Sequence, residues 1–122
     1  MLRKVLLVED HDNARRLLGN FLSEQFEVIG AKNGLEAMTW LSKGLSPDVI
    51  ITDNDMPEMD GDDLLRQLRC TGLWSNIPVI VIASSNDNAQ TADHFKSLGA
   101  SEIFAKPFNP MVLQERIFQI MG

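Results

Sequence analysis

The chain has 122 residues, 44% of them hydrophobic and 23% charged, with a formal net charge of −6. That length suits one domain with a core of its own, and no apolar run approaches the ~20 residues of a membrane span. No basic cluster is present, which argues against direct nucleic-acid binding. The single cysteine, Cys70, excludes an internal disulfide and fits a reducing, cytoplasmic compartment.

Val5-Leu6-Leu7-Val8 reads as a short strand covered on both faces. It meets Glu9-Asp10 too soon to be a signal peptide. Asp12 or Asn13 is expected to cap a first helix whose inner face is Ala14, Leu17, Leu18, Phe21 and Leu22. Gly19 inside that helix has no evident purpose. Phe26 to Ala31 predicts a second strand. Asn33-Gly34 starts a second helix with Ala37, Met38 and Leu41 inward, closed by Gly44 and Pro47.

Val49 to Thr52 predicts strand three, and Leu64, Leu65 and Leu68 mark helix three, on which Cys70 is expected half-buried. Pro78 to Ala83, rich in β-branched residues, predicts strand four. Helix four is expected from about Asp87 to Leu98, with Ala92, Phe95 and Leu98 inward and Gly99 ending it. Glu102 to Ala105 is strand five. Asn109-Pro110 supplies a cap and a first-turn proline for helix five, which packs Leu113, Ile117, Ile120 and Met121. Trp40 and Trp74 read as packing residues. Five strands alternating with five helices predict an α/β fold, a doubly wound parallel sheet in the order 2-1-3-4-5.

In such a sheet the ligand site lies beyond the carboxyl ends of strands one and three. Strand one ends in Glu9-Asp10 and strand three in Asp53, so three carboxylates are expected to converge. Asp53 follows a buried apolar run, where a charge is costly unless it is used. Closely packed carboxylates repel one another unless a cation intervenes, and oxygen ligands favour Mg²⁺ or Mn²⁺ over zinc. Lys106, ending strand five, adds a positive charge. A carboxylate nucleophile, a divalent cation and a lysine suit phosphoryl transfer to Asp53.

These residues resemble the receiver domain of bacterial two-component response regulators, in its single-domain, chemotaxis-regulator-like form. The motifs are Val8-Glu9-Asp10, Asp53-x-x-Met56-Pro57-x-Met59-Asp60-Gly61, Gly99-Ala100 and Lys106-Pro107-Phe108. The resemblance implies a flavodoxin-like receiver domain over residues 1–122. It implies that Asp53 takes phosphate from a histidine kinase, a histidine phosphotransfer protein or a small phosphodonor. Asp10 and Asp53 would hold Mg²⁺ through side chains, Asp55 through its backbone carbonyl and Glu9 through water. Lys106 would contact the phosphoryl oxygens, and the Lys106–Pro107 bond is expected to be cis. The domain would signal by protein contacts to a downstream target rather than as a turnover enzyme.

Two positions depart from the family. A Thr or Ser usually ends strand four, where this chain has Ala83, with Ser84 next as a substitute hydroxyl if a bulge re-aims it. A Tyr or Phe is usual where this chain has Ile103. Phosphorylation with weakened or replaced coupling is therefore expected. Asp55 and Ser85 resemble positions that tune dephosphorylation. The family also uses the face of helix four, strand five and helix five for partners and dimers. Met111, Gln114, Phe118 and His94 are the candidates there, with a homodimer through that face as a further expectation.

Two other functions compete. One is a pseudo-receiver that binds partners whatever its phosphorylation state, favoured by Ala83 and Ile103. The other is a hydrolase, since Asp53-Asn54-Asp55 resembles the Asp-x-Asp of haloacid-dehalogenase-type phosphatases, although there the motif follows the first strand of a longer chain.

Overall fold

A computed structural model describes residues 2–56, 59–84 and 89–121, with only the backbone at 89–91. Strands β1 (Lys4–Val8), β2 (Glu27–Ala31), β3 (Val49–Asp53), β4 (Val79–Ala83) and β5 (Glu102–Ala105) alternate with helices α1 (Asp12–Leu22), α2 (Gly34–Ser42), α3 (Gly61–Cys70), α4 (Ala89–Ser97) and α5 (Pro110–Met121). The sheet is parallel throughout, in the order β2-β1-β3-β4-β5, as expected. No helix among the described residues is long and apolar enough to cross a membrane.

The alternation of side chains along each strand divides the core into two layers. Leu6, Val8, Ile50, Val79 and Val81 face α2, α3 and α4, meeting Ala37, Leu41, Leu64, Leu65, Leu68 and Phe95. Val5, Leu7, Val49, Ile51, Ile80 and Ile82 face α1 and α5, meeting Leu22, Leu113 and Ile117. β3 and β4 are buried at every residue, which their continuous apolar runs foretold.

Helix boundaries follow local chemistry. The Asn33 side chain accepts from the Glu36 N–H at 2.8 Å, and Asp60 does the same for Asp63 at 2.9 Å. Asn109 accepts from the Met111 N–H at 2.9 Å, ahead of Pro110. Gly44 adopts φ +106° just past α2, and Gly99 φ +100° just past α4, a conformation that L side chains rarely adopt.

Several expectations are corrected. The N-cap of α1 is His11, without a side-chain capping bond; Asp12 is already helical and pairs with Arg15 at 2.6 Å. Leu17 is 73% exposed and Ala14 is exposed, because the sheet covers a narrower arc of α1 than its apolar pattern spans. Cys70 is exposed, nearly opposite Leu68 on the helix. Trp40 lies at the surface, whereas Trp74 packs against the α2–α4 layer. The start expected for helix four, Asp87, and the candidates Ser85 and Pro57 lie outside the described residues.

Candidate functional site

β3 carries Asp53 to the carboxyl edge of the sheet. Its Cα partner is Ile82 on β4, whose own partner is Phe104 on β5, so these residues share the α1/α5 face. Lys106, two residues beyond Phe104, lies on the same side. Its Nζ donates to Asp53 Oδ2 at 2.8 Å, and the Asp55 N–H donates to Asp53 Oδ1 at 3.2 Å. Asp53 is only 3% exposed, so both oxygens are held by donors in place of water. Partial burial works against the charge on Lys106, but the hydrogen bond and charge of Asp53 outweigh it and hold the ammonium above its ordinary value. The Lys106–Pro107 bond is cis.

The chain after Asp53 returns tightly onto itself. A Cβ at Gly61 would lie 3.0 Å from Asn54 Cα and 3.2 Å from the Asp53 carbonyl oxygen. A side chain at the start of α3 would press on that backbone, and glycine lets the helix sit directly under the Asp53 loop without displacing it.

β1 brings Glu9, Asp10 and His11 alongside. Ligand atoms of these three and of Asp53 all lie within 4.8 Å of one another. Burial, then the hydrogen bond and charge of Asp53, push the Glu9 carboxyl up to about 7. Asp10 Oδ1 is wholly buried with no hydrogen-bond partner. An orphaned carboxylate oxygen among crowded carboxylates fits a divalent cation, which would satisfy the first and relieve the second. The Asp55 side chain is exposed and its backbone N–H donates to Asp53; the expected role of its backbone carbonyl does not call on that side chain. His11 is the residue that sequence reading missed. It follows Glu9-Asp10 directly, but only the extended N-cap backbone turns its ring back toward them.

The positions that depart from the family lie on the other face. Val81 pairs with Ile103, and Ala83 with Ala105, so alternation puts Ala83 and Ile103 on the α2–α4 side. Ser84 is half-buried, one residue past the strand.

Of the partner-face candidates, Met111 and Phe118 are exposed, as expected, while His94 and Phe118 each also contact a neighbouring part of the fold. His94 Nε2 lies 2.6 Å from Asp62 Oδ2, so His94 faces α3, and its hydrogen bond with that of Arg66 holds the Asp62 carboxyl below its usual range. Phe118 packs on Phe26 with ring centroids 5.0 Å apart, which turns that flank of α5, with Gln114 one turn earlier, toward α1 rather than α4. Arg116 occupies the flank toward β5, donating to Glu102 at 2.6 Å. Met111 is 63% exposed on the outer side.

The fold and site define a doubly wound, flavodoxin-like α/β protein whose functional groups meet at the β1/β3 switch point. The chain belongs to the response regulator receiver domain family, whose model matches residues 5–118. It is 35% identical over 121 residues to chemotaxis protein CheY1 of Helicobacter pylori, covering 98% of this chain and 97% of that protein. Among solved structures, the signal receiver domain of a signal transduction histidine kinase from Syntrophus aciditrophicus is 31% identical, with a TM-score of 0.88 over 98% of this chain and 89% of that one. Chemotaxis protein CheY4 of Vibrio cholerae is 28% identical, with a TM-score of 0.89 over 98% and 99%.

Proposed function

We propose that this receiver domain accepts a phosphoryl group on Asp53 and passes the signal on by protein contact. The observation that carries this is the 97%-buried Asp53 carboxylate held by Lys106 at 2.8 Å. A buried ion pair with no chemical task is often no more stable than apolar packing, so its presence at a strand end needs another reason. A carboxylate oxygen of Asp53 attacks phosphorus and forms an acyl phosphate. The bond from phosphorus to the donor's nitrogen or oxygen breaks, and the donor leaves with that electron pair. Lys106 then stays with the oxygens that carry the transferred charge.

Glu9, Asp10 and Asp53 would hold Mg²⁺ or Mn²⁺, which when bound neutralises charge on the transferring oxygens. A cavity of about 380 Å³ adjoins Asp53 and Lys106 and is walled by Leu18, Ile51 and Phe108, leaving room for a donor to approach. The proposed donors are a histidine kinase, a histidine phosphotransfer protein or a small acyl phosphate, and the place of action is the cytoplasm. The preserved Asp53–Lys106 pair favours this reading over a phosphorylation-independent binding module.

Beryllofluoride with Mg²⁺ tests it. The amide resonance of Asp55, whose N–H donates to Asp53, is expected to shift on addition. No shift at Asp55, or the same shift in Asp53→Ala, would overturn the proposal.

A further inference from the structure

We infer that His11 is an additional ligand of the cation site, giving this receiver domain a nitrogen donor that recruits borderline transition-metal ions such as Ni²⁺ and Co²⁺. The inference rests on the cation-site reading above and concerns which ion that site takes.

His11 Nδ1 lies 3.2 Å from Asp10 Oδ1 and 3.7 Å from Glu9 Oε2. Neighbouring ligands on one octahedral ion, each about 2.1 Å from it at a right angle, lie about 3.0 Å apart. The spacing between the imidazole nitrogen and the orphaned Asp10 oxygen is therefore that of two adjacent ligands. Asp10 Oδ1 is buried without a hydrogen-bond partner, although a donor-capable ring stands beside it. The ring serves no capping bond for α1, and the side chain is 72% exposed, so nothing in the core fixes it there.

Carboxylate oxygens alone suit Mg²⁺ and Mn²⁺, whereas an imidazole in the same set favours Ni²⁺, Co²⁺ and Zn²⁺. The set here is three carboxylates and one imidazole, with Lys106 and Asp55 N–H already on Asp53. A transition-metal ion would gain a ligand from His11 that Mg²⁺ would gain little from. The result is a site that a transition metal can enter in competition with Mg²⁺.

Calorimetric titration of the full chain with Mg²⁺ and with Ni²⁺ decides the matter. A carboxylate-only site also ranks these ions, so the diagnostic quantity is the change on removing the ring. His11→Ala is expected to weaken Ni²⁺ binding by about tenfold or more and to leave Mg²⁺ within about twofold. The retained Mg²⁺ binding also shows that the variant is folded. Asp10→Asn is expected to weaken both ions, and His94→Ala, which removes the other histidine, neither. With Co²⁺, the visible absorption of the bound ion should change in His11→Ala. Unchanged Ni²⁺ affinity in His11→Ala, or a loss only in His94→Ala, overturns the inference while Mg²⁺ binding keeps the cation site. Wild-type protein that binds neither ion overturns both.

Discussion

On the α1/α5 face the strands run out into Glu9, Asp53 and Lys106, whereas on the α2–α4 face the matching positions are Thr52, Ala83 and Ile103. The first face carries Glu9, Asp53 and Lys106, three of the charged groups that the family resemblance implies. The second carries Ala83 and Ile103, where the resemblance leads to the expectation of a hydroxyl and a ring. Because adjacent residues of one strand point to opposite faces, substitutions at Ala83 or Ile103 are made on the face opposite the Asp53 side chain. Acceptance of a phosphoryl group and the response to it can therefore be probed by different substitutions.

The sharpest test of the acceptor face is Lys106→Ala. Removing the donor that holds Asp53 Oδ2 is expected to slow phosphoryl uptake by about 10²-fold, measured with a small acyl phosphate. Uptake at the wild-type rate would show that the ion pair has no chemical role.

The next largest effect is on stability. The folded Glu9 carboxyl keeps its proton up to about 7, while the unfolded one loses it near 4.5. Between those values the folded state binds more protons, so stability falls as pH rises through that window. Urea denaturation without divalent cation should show lower stability at pH 8 than at pH 5. Glu9→Gln should flatten the difference, and Mg²⁺ should restore more stability at pH 8 than at pH 5. A pH-independent midpoint would contradict the raised Glu9 carboxyl on this face.

Ala83→Thr addresses the opposite face. In the wild type, beryllofluoride with Mg²⁺ is expected to shift amides near β1, β3 and the β5–α5 loop more than those of α4. In Ala83→Thr the response should extend into α4. The same pattern in both would mean that Ala83 is not where coupling is altered.

The smallest expected effect concerns Gly19 on α1. A Cβ there would sit 3.8 Å from Leu7 Cδ2 and 3.9 Å from Val28 Cγ1, ordinary contact distances. Gly19→Ala should therefore stabilise the protein by about 0.5–1 kcal/mol in thermal or urea unfolding, with phosphoryl uptake unchanged. Destabilisation would show that α1 packs more tightly on the acceptor face than these distances allow.

Much of this division was readable from sequence. Unbroken apolar runs marked β1, β3 and β4, and acids directly after two of them marked the site, because strand ends in a doubly wound sheet meet at a known edge. What stayed hidden depends on direction within an element or on distant partners. Leu17 fits the helical period of α1 yet lies outside the arc that the sheet covers. Phe118 is outward by periodicity, but only the fold shows that its flank of α5 meets Phe26. His94 and Asp62 are 32 residues apart and meet only because α3 and α4 lie side by side on one face. His11 was adjacent to the acids all along, but its orientation is set by backbone angles at the helix start.

The central claim is that the acceptor face works as a phosphoacceptor whatever the other face does. Incubation with a small acyl phosphate and Mg²⁺, followed by mass spectrometry of the peptides, tests it most directly. The expected result is a phosphoryl adduct on the peptide carrying Asp53, dependent on the cation and absent in Asp53→Asn. Failure of the wild-type protein to form an adduct, or an adduct that persists in Asp53→Asn, would contradict it.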